Sequence, residues 1–592
     1  MREGSELVFH GGAIFDGSSF LPAGTVVRVS GKTISYVGPA AEAGSLGAAE
    51  PVDLNGGTLL PGFIDAHVHP VFAGDRLRRC DLSGARTAAE YQALIAAFAA
   101  ANPDAPWITG GGWYMEAFPG GMPTKDLLDA VVSDRPVFLP NRDGHGAWVN
   151  SRALELAGIT ASTLDPADGR IERDHDGEPS GCLQEGAANL VSRLVPVAST
   201  DDWYAGLLAA QDYMLSLGIT GWQDAIVGRS PEAPDPIEAY LRAAGDGSLA
   251  VNVVGALWWD RHAGIEQVTE LVERRREAGA GERFRATSVK MMLDGVAENH
   301  TAAMLEPYLD GHGCATEGSG LDFIDPAELP RYVTELDALG FQVHFHALGD
   351  RAVRNALDAI EAARQAAKAA NRARGDNHSS QRHHLAHLQV IHPDDIPRFA
   401  ALNATANIQA LWAMHEPQMD DLTIPFLGDR RSGWQYPFGA LVAAGAPMCG
   451  GSDWSVSTPD PLLAGHVAVN RTLPQAQGGT GQDPFLPEQA ISAEAFFAAY
   501  TSGSARVNGL EDVVGAVQPG LDADFAITDA DLATGPATEI CQASVAQTWI
   551  RGELRYQRSL ATPGQPQARA PPAPPPGTKE DRWAPRQVVA RR

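Results

Sequence analysis

Two histidines separated by one residue follow an apolar segment near the N-terminus. Residues 59–66 are mostly apolar, and His67 and His69 come after them. Side chains at positions i and i+2 of a strand face the same way, so both imidazoles would leave the strand end side by side. Placed like this, they could bind one cation. The pair by itself is also compatible with ordinary surface or core histidines, so a metal site needs further ligands from elsewhere in the chain.

A lysine inside a second apolar segment is the next unusual residue. Lys290 lies within residues 289–293, and lysine is rare in this chain. One interpretation is a buried ion pair with a carboxylate such as Asp294. The other is chemical: a neutral lysine amine can add CO2 to form a carbamate, whose oxygens can bridge two cations. Arginine, which this chain uses heavily, cannot do so because its guanidinium stays protonated.

Further nitrogen and oxygen ligands stand at the ends of other strand-like segments. His344 shares a strand face with His346, and two roles are open for it: orientation of His346, or an inward-facing barrel position with no role at the metal. The candidate metal ligands are His67, His69, Lys290, His346, His387 and Asp453.

These residues would be positioned by a series of alternating strands and helices. Such alternation is typical of a parallel sheet, and eight strand candidates can be counted. The first ends at His69, and the others cover residues 219–225, 249–257, 286–293, 341–346, 384–389, 404–410 and 447–453. Eight such units predict an α/β protein with a closed (β/α)8 TIM-like barrel, whose active site lies at the carboxyl ends of the strands.

The barrel would occupy residues 61–504, and three further segments interrupt or flank it. About 150 residues separate the first two strands, far more than a connecting loop needs, and we expect an insertion over residues 75–215 that forms a lid or pocket wall. Short alternating strands at both chain ends predict one composite β-sandwich domain built from residues 1–60 and 505–560. Residues 561–592 are rich in proline, which predicts a disordered tail or an arm laid on a neighbouring subunit.

Composition restricts the partners and the location. The formal net charge is -28, which argues against nucleic acid as a main partner. The N-terminal residues lack the apolar core of a signal peptide, and no apolar run approaches the length of a membrane helix. The five cysteines are scattered without CxxC spacing, which indicates buried free thiols. We therefore expect a cytoplasmic protein that does not bind membranes.

The order of the candidate ligands along the chain resembles the amidohydrolase superfamily. Three phrases are similar to its amidohydrolase 3 group, which includes YtcJ-like proteins and N-substituted formamide deformylases. They are Leu60-Pro-Gly-Phe-Ile-Asp-Ala-His-Val-His69, His346-Ala-Leu-Gly-Asp-Arg-Ala352 and Gly451-Ser-Asp-Trp454. The resemblance covers nearly the whole chain. It implies one or two divalent metals, usually Zn2+, and a carbamate on Lys290 as the bridge when two are bound.

The resemblance also implies a metal-dependent hydrolase that cleaves a non-peptide C–N bond in a small-molecule amide or N-formyl amine. The metal would lower the pKa of a bound water, and Asp453 would accept the proton and pass it to the leaving nitrogen. Alternatives are hydrolysis of a cyclic amide, carbamate or ester, and a decarboxylase or isomerase on the same barrel. A metal-free interaction module is a further alternative, although every expected ligand position is filled. The β domain and the tail favour a homodimer.

Two residues of the insertion match family motifs. His145 lies in a segment similar to one that reaches the barrel mouth in the family, and it is a candidate for polarising the substrate as a catalytic residue. A turn histidine without such a role is the alternative. Glu185 matches a second motif and could be structural.

Aromatic residues supply the other candidate substrate contacts. Trp113 and Tyr114 follow three glycines and could line an apolar pocket, together with His145. The family often has an acidic residue at the position of Tyr114, so a polar role there is in doubt. Trp412 and Trp454 follow the last two strand candidates and would add aromatic surface at the barrel mouth. Together these residues suggest a substrate with an apolar or aromatic substituent.

Overall fold

The computed structural model describes residues 6–42, 49–196, 198–228, 235–279, 281–374, 381–477 and 479–559. Its centre is a parallel sheet of eight strands, each hydrogen-bonded to the next one in the sheet. Barrel strands one to eight, in chain order, are Phe63–Val68, Ile219–Val227, Asn252–Trp258, Phe284–Met292, Gln342–Ala347, His384–His387, Thr405–Ile408 and Met448–Gly450. The predicted (β/α)8 barrel is confirmed, and each strand candidate overlaps an observed strand.

The barrel is joined between its first and eighth strands at the carboxyl edge. The backbone N–H of Asp453 donates to the carbonyl of His67 at 2.8 Å, and the N–H of His69 donates to the carbonyl of Trp454 at 2.8 Å. All residues of barrel strand one are buried, as expected for a strand that is covered on both faces. Backbone hydrogen bonds therefore fix two ligand-bearing segments directly to each other.

Helices cover the barrel strands and connect them. The helix Thr200–Ser216 leads into barrel strand two and begins at Ser199, whose side chain accepts from the N–H of Asp202 while Asp202 accepts from the N–H of Ser199. This reciprocal cap satisfies amides that the first helical turn leaves unpaired. The helices that follow barrel strands are Pro70–Arg76, Ile237–Asp246, Val268–Ala278, Leu329–Ala338, Asp350–Arg374, Ile396–Leu402, Pro417–Leu422, Ile424–Ser432, Phe438–Ala443, Pro461–Asn470, Ala493–Ala498 and Ser504–Val507.

The insertion between barrel strands one and two has a sheet of its own. Its six strands are Cys80–Asp81, Ile108–Gly111, Val137–Pro140, Gly146–Val149, Gly169–Arg173 and Pro179–Glu185. Its helices are Ala88–Ala101, Lys125–Asp129, Ser151–Ala157 and Asn189–Ser192. Tyr91, Trp113, Phe118 and Trp148 form part of a core that is separate from the barrel core. The insertion is therefore a packed unit that can hold side chains rigidly above the barrel.

Segments from both ends of the described chain meet in one β domain. One sheet contains Glu6–His10, Thr25–Ser30, Thr33–Pro39 and Glu50–Asp53, and the other contains Ala13–Ile14, Thr58–Pro61, Phe525–Thr528, Val545–Ile550 and Glu553–Gln557. Thr58–Pro61 pairs antiparallel with Phe525–Thr528. The ring of Phe9 packs edge-on against Phe525 and Trp549, with centroids 5.2 and 5.3 Å apart. These contacts confirm the composite β domain.

Gly62 alone separates the β domain from barrel strand one. Its N–H donates to the carbonyl of Asp524 at 2.8 Å. A Cβ at this position would lie 2.1 Å from Oγ1 of Thr220, so only glycine fits. The start of barrel strand one is therefore held by a hydrogen bond to the β domain and by close packing against Thr220 of barrel strand two.

Two expectations concern the chain outside the folded units. The predicted tail, residues 561–592, lies outside the described residues. In the described part of the chain, no helix combines the length and the apolar character needed to cross a membrane.

Candidate active site

His67, His69 and Asp453 lie together at the carboxyl end of the barrel. Oδ1 of Asp453 is 3.2 Å from Nε2 of His67 and 3.0 Å from Nε2 of His69. One ligand atom from each of the three residues lies within 4.8 Å of those from the other two. Burial lowers the pKa of His67 to about 3, so its imidazole is neutral and offers a lone pair.

Two further histidines extend this group across the barrel. The ring of His387 lies 4.7 Å from that of His67 and 4.5 Å from that of His346, measured between centroids. Nδ1 of His387 is 3.8 Å from Oδ2 of Asp453. Burial lowers the pKa of both His346 and His387 well below the usual range, which leaves them neutral and able to bind metal.

Lys290 points into the same buried region without a hydrogen-bond partner. Within the described residues its Nζ makes no hydrogen bond, and the side chain is only 1% exposed. Asp294 does not pair with it, because that carboxylate instead accepts from the backbone N–H groups of Ala303, Leu348 and Gly349. Burial lowers the pKa of Lys290 to about 7. Much of this amine is therefore neutral near pH 7, which is the form that reacts with CO2.

The polar atoms left without hydrogen bonds test whether a metal fits here. Among the described residues these buried atoms at the site are Lys290 Nζ, both ring nitrogens of His387, His69 Nδ1 and Asp453 Oδ1. Buried polar atoms are normally paired, so such a set at one place indicates an additional partner. Nitrogen and carboxylate oxygen donors suit zinc and similar divalent cations. The residues present therefore fit the metal site that the sequence predicts.

Asp294 holds the ring of His346. Its Oδ1 lies 3.3 Å from Nδ1 of His346, and burial raises the pKa of Asp294 to about 7. A carboxyl group on one ring nitrogen leaves the other nitrogen for a cation. His344, considered above as a partner of His346, contacts His67 instead, with Nε2 2.7 Å from Nδ1 of His67.

Asp65 is a supporting residue that sequence reasoning missed. Its Oδ1 accepts from the N–H groups of His67 and Ser452, at 3.1 and 3.0 Å, and its Oδ2 accepts from the Ser452 hydroxyl at 2.5 Å. It therefore ties the segment that carries Asp453 to barrel strand one. A signal was available: Asp65 is a carboxylate in an otherwise apolar strand, two positions before His67 and on the same face.

The insertion places His145 beside the ligand group. Its ring centroid lies 5.4 Å from that of His346. Nδ1 of His145 is 2.8 Å from Oε2 of Glu185, and the other oxygen of Glu185 accepts from the Thr301 hydroxyl at 2.7 Å. Glu185 also donates its backbone N–H to the carbonyl of His145 at 2.8 Å. Glu185 thus orients the imidazole through its carboxylate and holds the backbone of His145 through its N–H.

The aromatic candidates divide between the site and the core of the insertion. The ring of Trp412 stacks on His387 with an interplanar angle of 5° and 5.5 Å between centroids. Trp454 is largely buried and packs against Tyr213, 5.2 Å away between centroids. Tyr114 is partly buried, and the guanidinium carbons of Arg86 and Arg142 lie 3.7 and 4.7 Å from the centroid of its ring.

Trp113 is not placed as the sequence suggested. It is 1% exposed, packs against Phe118 and Trp148, and donates from Nε1 to the carbonyl of Leu139 at 2.7 Å. Its ring fills the core of the insertion because Trp113, just beyond the strand Ile108–Gly111, bridges to Asn141 and packs among the aromatic residues of that core. It therefore offers no surface to a substrate.

Comparisons with known proteins identify the family of this chain. A family model described as "Amidohydrolase family" matches residues 50–556. "Protein LONG AFTER FAR-RED 3" of Arabidopsis thaliana is 30% identical over 93% of this chain and 92% of its own. "Putative amidohydrolase YtcJ" of Bacillus subtilis (strain 168) is 28% identical over 86% and 91%, and "N-substituted formamide deformylase" of Arthrobacter pascens is 27% identical over 90% and 95%.

A solved structure shares the fold. The crystal structure of an uncharacterized metal-dependent hydrolase from Pyrococcus horikoshii OT3 covers 90% of this chain and 99% of its own, with a TM-score of 0.67 and 24% identity. The match of the family model includes all six candidate ligands and the insertion. The chain therefore belongs to the amidohydrolase family.

Proposed function

We propose that this amidohydrolase uses zinc or a similar divalent cation to cleave the C–N bond of a small N-formyl or N-acyl amine. The observation that carries the proposal is the convergence of unpaired buried nitrogen and oxygen atoms around Asp453, with His145 beside them. His67, His69, Lys290, His346, His387 and Asp453 would hold the cation. When bound, it supplies Lewis-acid activation of a water and of the scissile carbonyl.

Asp453 is the candidate for proton transfer. Its buried carboxylate lies beside the imidazoles of His67 and His69 at the candidate metal site, where it can accept a proton from the attacking water and return it to the leaving nitrogen. The returned proton matters because an amine that left as an anion would be a very poor leaving group. The Asp65–Ser452 hydrogen bonds keep the Asp453 segment in place during this exchange.

His145 is the candidate for stabilising charge on the substrate. With Nδ1 turned toward Glu185, the opposite edge of the ring is available to a carbonyl oxygen as negative charge develops on it. With Nδ1 bonded to the carboxylate, Nε2 is the ring atom left to face the substrate, and it donates when it carries a hydrogen. This arrangement assigns Glu185 to the orientation of His145 and not to the substrate.

Lys290 is the candidate for carbamylation. Its neutral amine nitrogen would form a bond to the carbon of CO2 and release one proton, which converts an uncharged amine into an anionic oxygen ligand. The buried, unpaired amine with a pKa near 7 supports this assignment. A carbamate would also remove the cost of burying a positive charge at this place.

Aromatic rings beside two of the ligand candidates favour an apolar substituent on the substrate nitrogen. Trp412 stacks on His387, and Phe72 lies over His69 with 6.5 Å between ring centroids. Both aromatic side chains remain partly exposed. The relative from Arthrobacter pascens is named for N-substituted formamides, which makes this substrate class the first to examine.

The proposal is tested with protein purified without chelator. Metal content is measured first, and then turnover of the N-formyl and N-acetyl derivatives of one arylalkyl amine, a cyclic imide and an ester with the same acyl group. We expect hydrolysis of the open-chain amides by the metal-loaded enzyme, and loss of turnover in folded Asp453→Asn. Turnover of only the imide or the ester would replace the proposed substrate class, and a folded protein that cannot be loaded with metal would refute the proposal.

A further inference from the structure

A cluster of buried polar side chains lies inside the barrel, beneath the candidate ligands. Its members are Gln223, Gln342, His344, His384, Asn407 and Asn508. All are at most 8% exposed. Barrel interiors are usually filled by branched apolar residues, and buried polar groups are costly unless each is hydrogen-bonded. The directions of the hydrogen bonds in this cluster can be worked out from two fixed points.

The amide of Gln342 is the first fixed point. Its Nε2 faces two backbone carbonyls, those of Arg382 at 2.7 Å and of Val507. Carbonyls only accept, so this atom must be the amide nitrogen, and Oε1 of Gln342 is left to accept from Nε2 of Gln223 at 3.0 Å. The second hydrogen of that nitrogen goes to Oδ1 of Asn508 at 2.8 Å. The remaining atom of Gln223, Oε1, is therefore an acceptor.

This acceptor determines the hydrogens on two histidines. Oε1 of Gln223 lies 2.6 Å from Nδ1 of His344 and 2.9 Å from Nε2 of His384, so both nitrogens carry a hydrogen. A neutral His344 with its hydrogen on Nδ1 has an accepting Nε2. That Nε2 lies 2.7 Å from Nδ1 of His67, which must then be the donor.

Asn407 is the second fixed point and gives the same result independently. Its Nδ2 donates to the carbonyl of Ala66 at 3.0 Å, which identifies it as the amide nitrogen. The same atom lies 3.1 Å from Nδ1 of His384, so Nδ1 is the acceptor and Nε2 carries the hydrogen. This is the tautomer of His384 that Gln223 requires.

We infer that the hydrogen-bonded series Gln223–His344–His67 fixes the hydrogen of His67 on Nδ1 and thereby presents the lone pair of its Nε2 to the cation. His344 is then a positioning residue for the metal. The inference rests on the metal site of the proposed function. In the other tautomer, the hydrogen on Nε2 of His67 would point at Oδ1 of Asp453, 3.2 Å away. Nε2 would then have no lone pair for the cation, and Oδ1 would be occupied by a hydrogen bond. In the assigned tautomer two acceptors face each other, and a cation relieves that repulsion.

The test measures zinc affinity by competition with a chelator, without any substrate. His344→Leu removes the acceptor and should weaken zinc binding about 10- to 100-fold. His344→Gln should stay within about threefold of wild type, because its amide can accept from His67 and donate to Gln223 in the same two directions. His383→Leu is the matched control. His383 is an equally buried neighbour, but it hydrogen-bonds to Asp337 at 3.0 Å and is not part of the series Gln223–His344–His67.

A second measurement needs no variant and decides the inference if His344→Leu does not fold. Nitrogen-15 NMR of histidine-labelled wild-type protein, with the His67 signal assigned by its loss in His67→Asn, should show the hydrogen on Nδ1 both with zinc and after chelation. A hydrogen on Nε2, or unchanged zinc affinity in folded His344→Leu, would overturn the inference. If the wild type binds zinc and His344→Leu weakens that binding while no amide is hydrolysed, the inference stands and only the proposed function fails.

Discussion

Nδ1 of His145 lies 2.8 Å from Oε2 of Glu185, so a turn residue and a strand residue of the insertion form one hydrogen-bonded pair at the barrel mouth. His145 stands in the turn before Gly146–Val149, and Glu185 ends the neighbouring strand Pro179–Glu185. Because the two strands are paired, the distance between imidazole and carboxylate is set by the sheet and not by a mobile loop.

We expect this pair to act as a unit in catalysis. His145→Asn should lower kcat about 10²- to 10⁴-fold, and Glu185→Gln about tenfold, because glutamine can still accept from Nδ1 but carries no charge. In the His145→Asn background, Glu185→Gln should cost little more, since its partner is already gone. Kinetics of the two single variants and the double variant, at unchanged metal content, check this. Losses that simply multiply would show that the two residues act separately.

Replacement of Asp453 by asparagine should abolish most of the activity and leave the fold intact. Asparagine has nearly the same volume but cannot accept the proton of the attacking water, so kcat should fall about 10²- to 10⁴-fold. Ser452→Ala is the control, because it removes one hydrogen bond to Asp65 and leaves both the backbone N–H contact and Asp453 in place. The comparison needs kcat and circular dichroism of both variants. Full activity in Asp453→Asn would exclude the assigned proton transfer.

Lys290→Met should stabilise the metal-free protein, and the gain should depend on pH. The pKa of Lys290 falls from an ordinary value of 10.5 to about 7 in the folded state. Below pH 7 the ammonium is charged in both states, so the folded state bears the full burial cost, and between pH 7 and 10.5 that cost disappears as pH rises. The free energy of unfolding should increase by several kcal/mol, on the order of 3–5, at pH 6. Urea unfolding after chelation, at pH 6 and pH 9.5, measures this; an equal gain at both pH values would contradict it.

The orientation of His387 should depend on Trp412. Among the described residues neither ring nitrogen of His387 makes a hydrogen bond, so ring packing holds it when no metal is bound: face to face on the indole of Trp412, and edge-on against His67 and His346. Trp412→Ala should therefore weaken zinc binding about tenfold, whereas Trp412→Phe should retain most of it because a flat ring still fills the place. Zinc affinity of the two variants is the measurement. Equal affinities in alanine and phenylalanine variants would assign Trp412 to the substrate alone.

Local patterns were enough to predict the barrel, and together with the resemblance to a family they were enough to choose the six candidate ligands. His67 and Lys290 are recognisable in the sequence because a polar residue stands out in an apolar strand. The structure places both at the carboxyl end of the barrel. The limits assigned to the domains and the ligand roles themselves remain predictions that experiments on the protein must test.

Contacts across the barrel and inside the insertion could not be predicted in the same way. His344 contacts His67 across the barrel interior from barrel strand five, and no spacing within either strand encodes that contact. Trp113 was expected at the substrate, but an aromatic residue after glycines faces a pocket or a core depending on how the insertion packs, which is not a local property. Glu185 gained a role only once its strand was seen to pair with the strand that follows His145.

The pairing of Thr58–Pro61 with Phe525–Thr528 affects the order in which the protein can be completed during translation. The ribosome releases His67 and His69 early, but the strand beside them in the β domain and the strand that closes the barrel are synthesised near the end. Contacts this distant in sequence form late because the intervening chain must first be ordered. The nascent protein therefore carries its first two candidate metal ligands in an incomplete barrel through most of its synthesis. A ribosome that stalls before Phe525 leaves the strand beside them without its partner in the β domain.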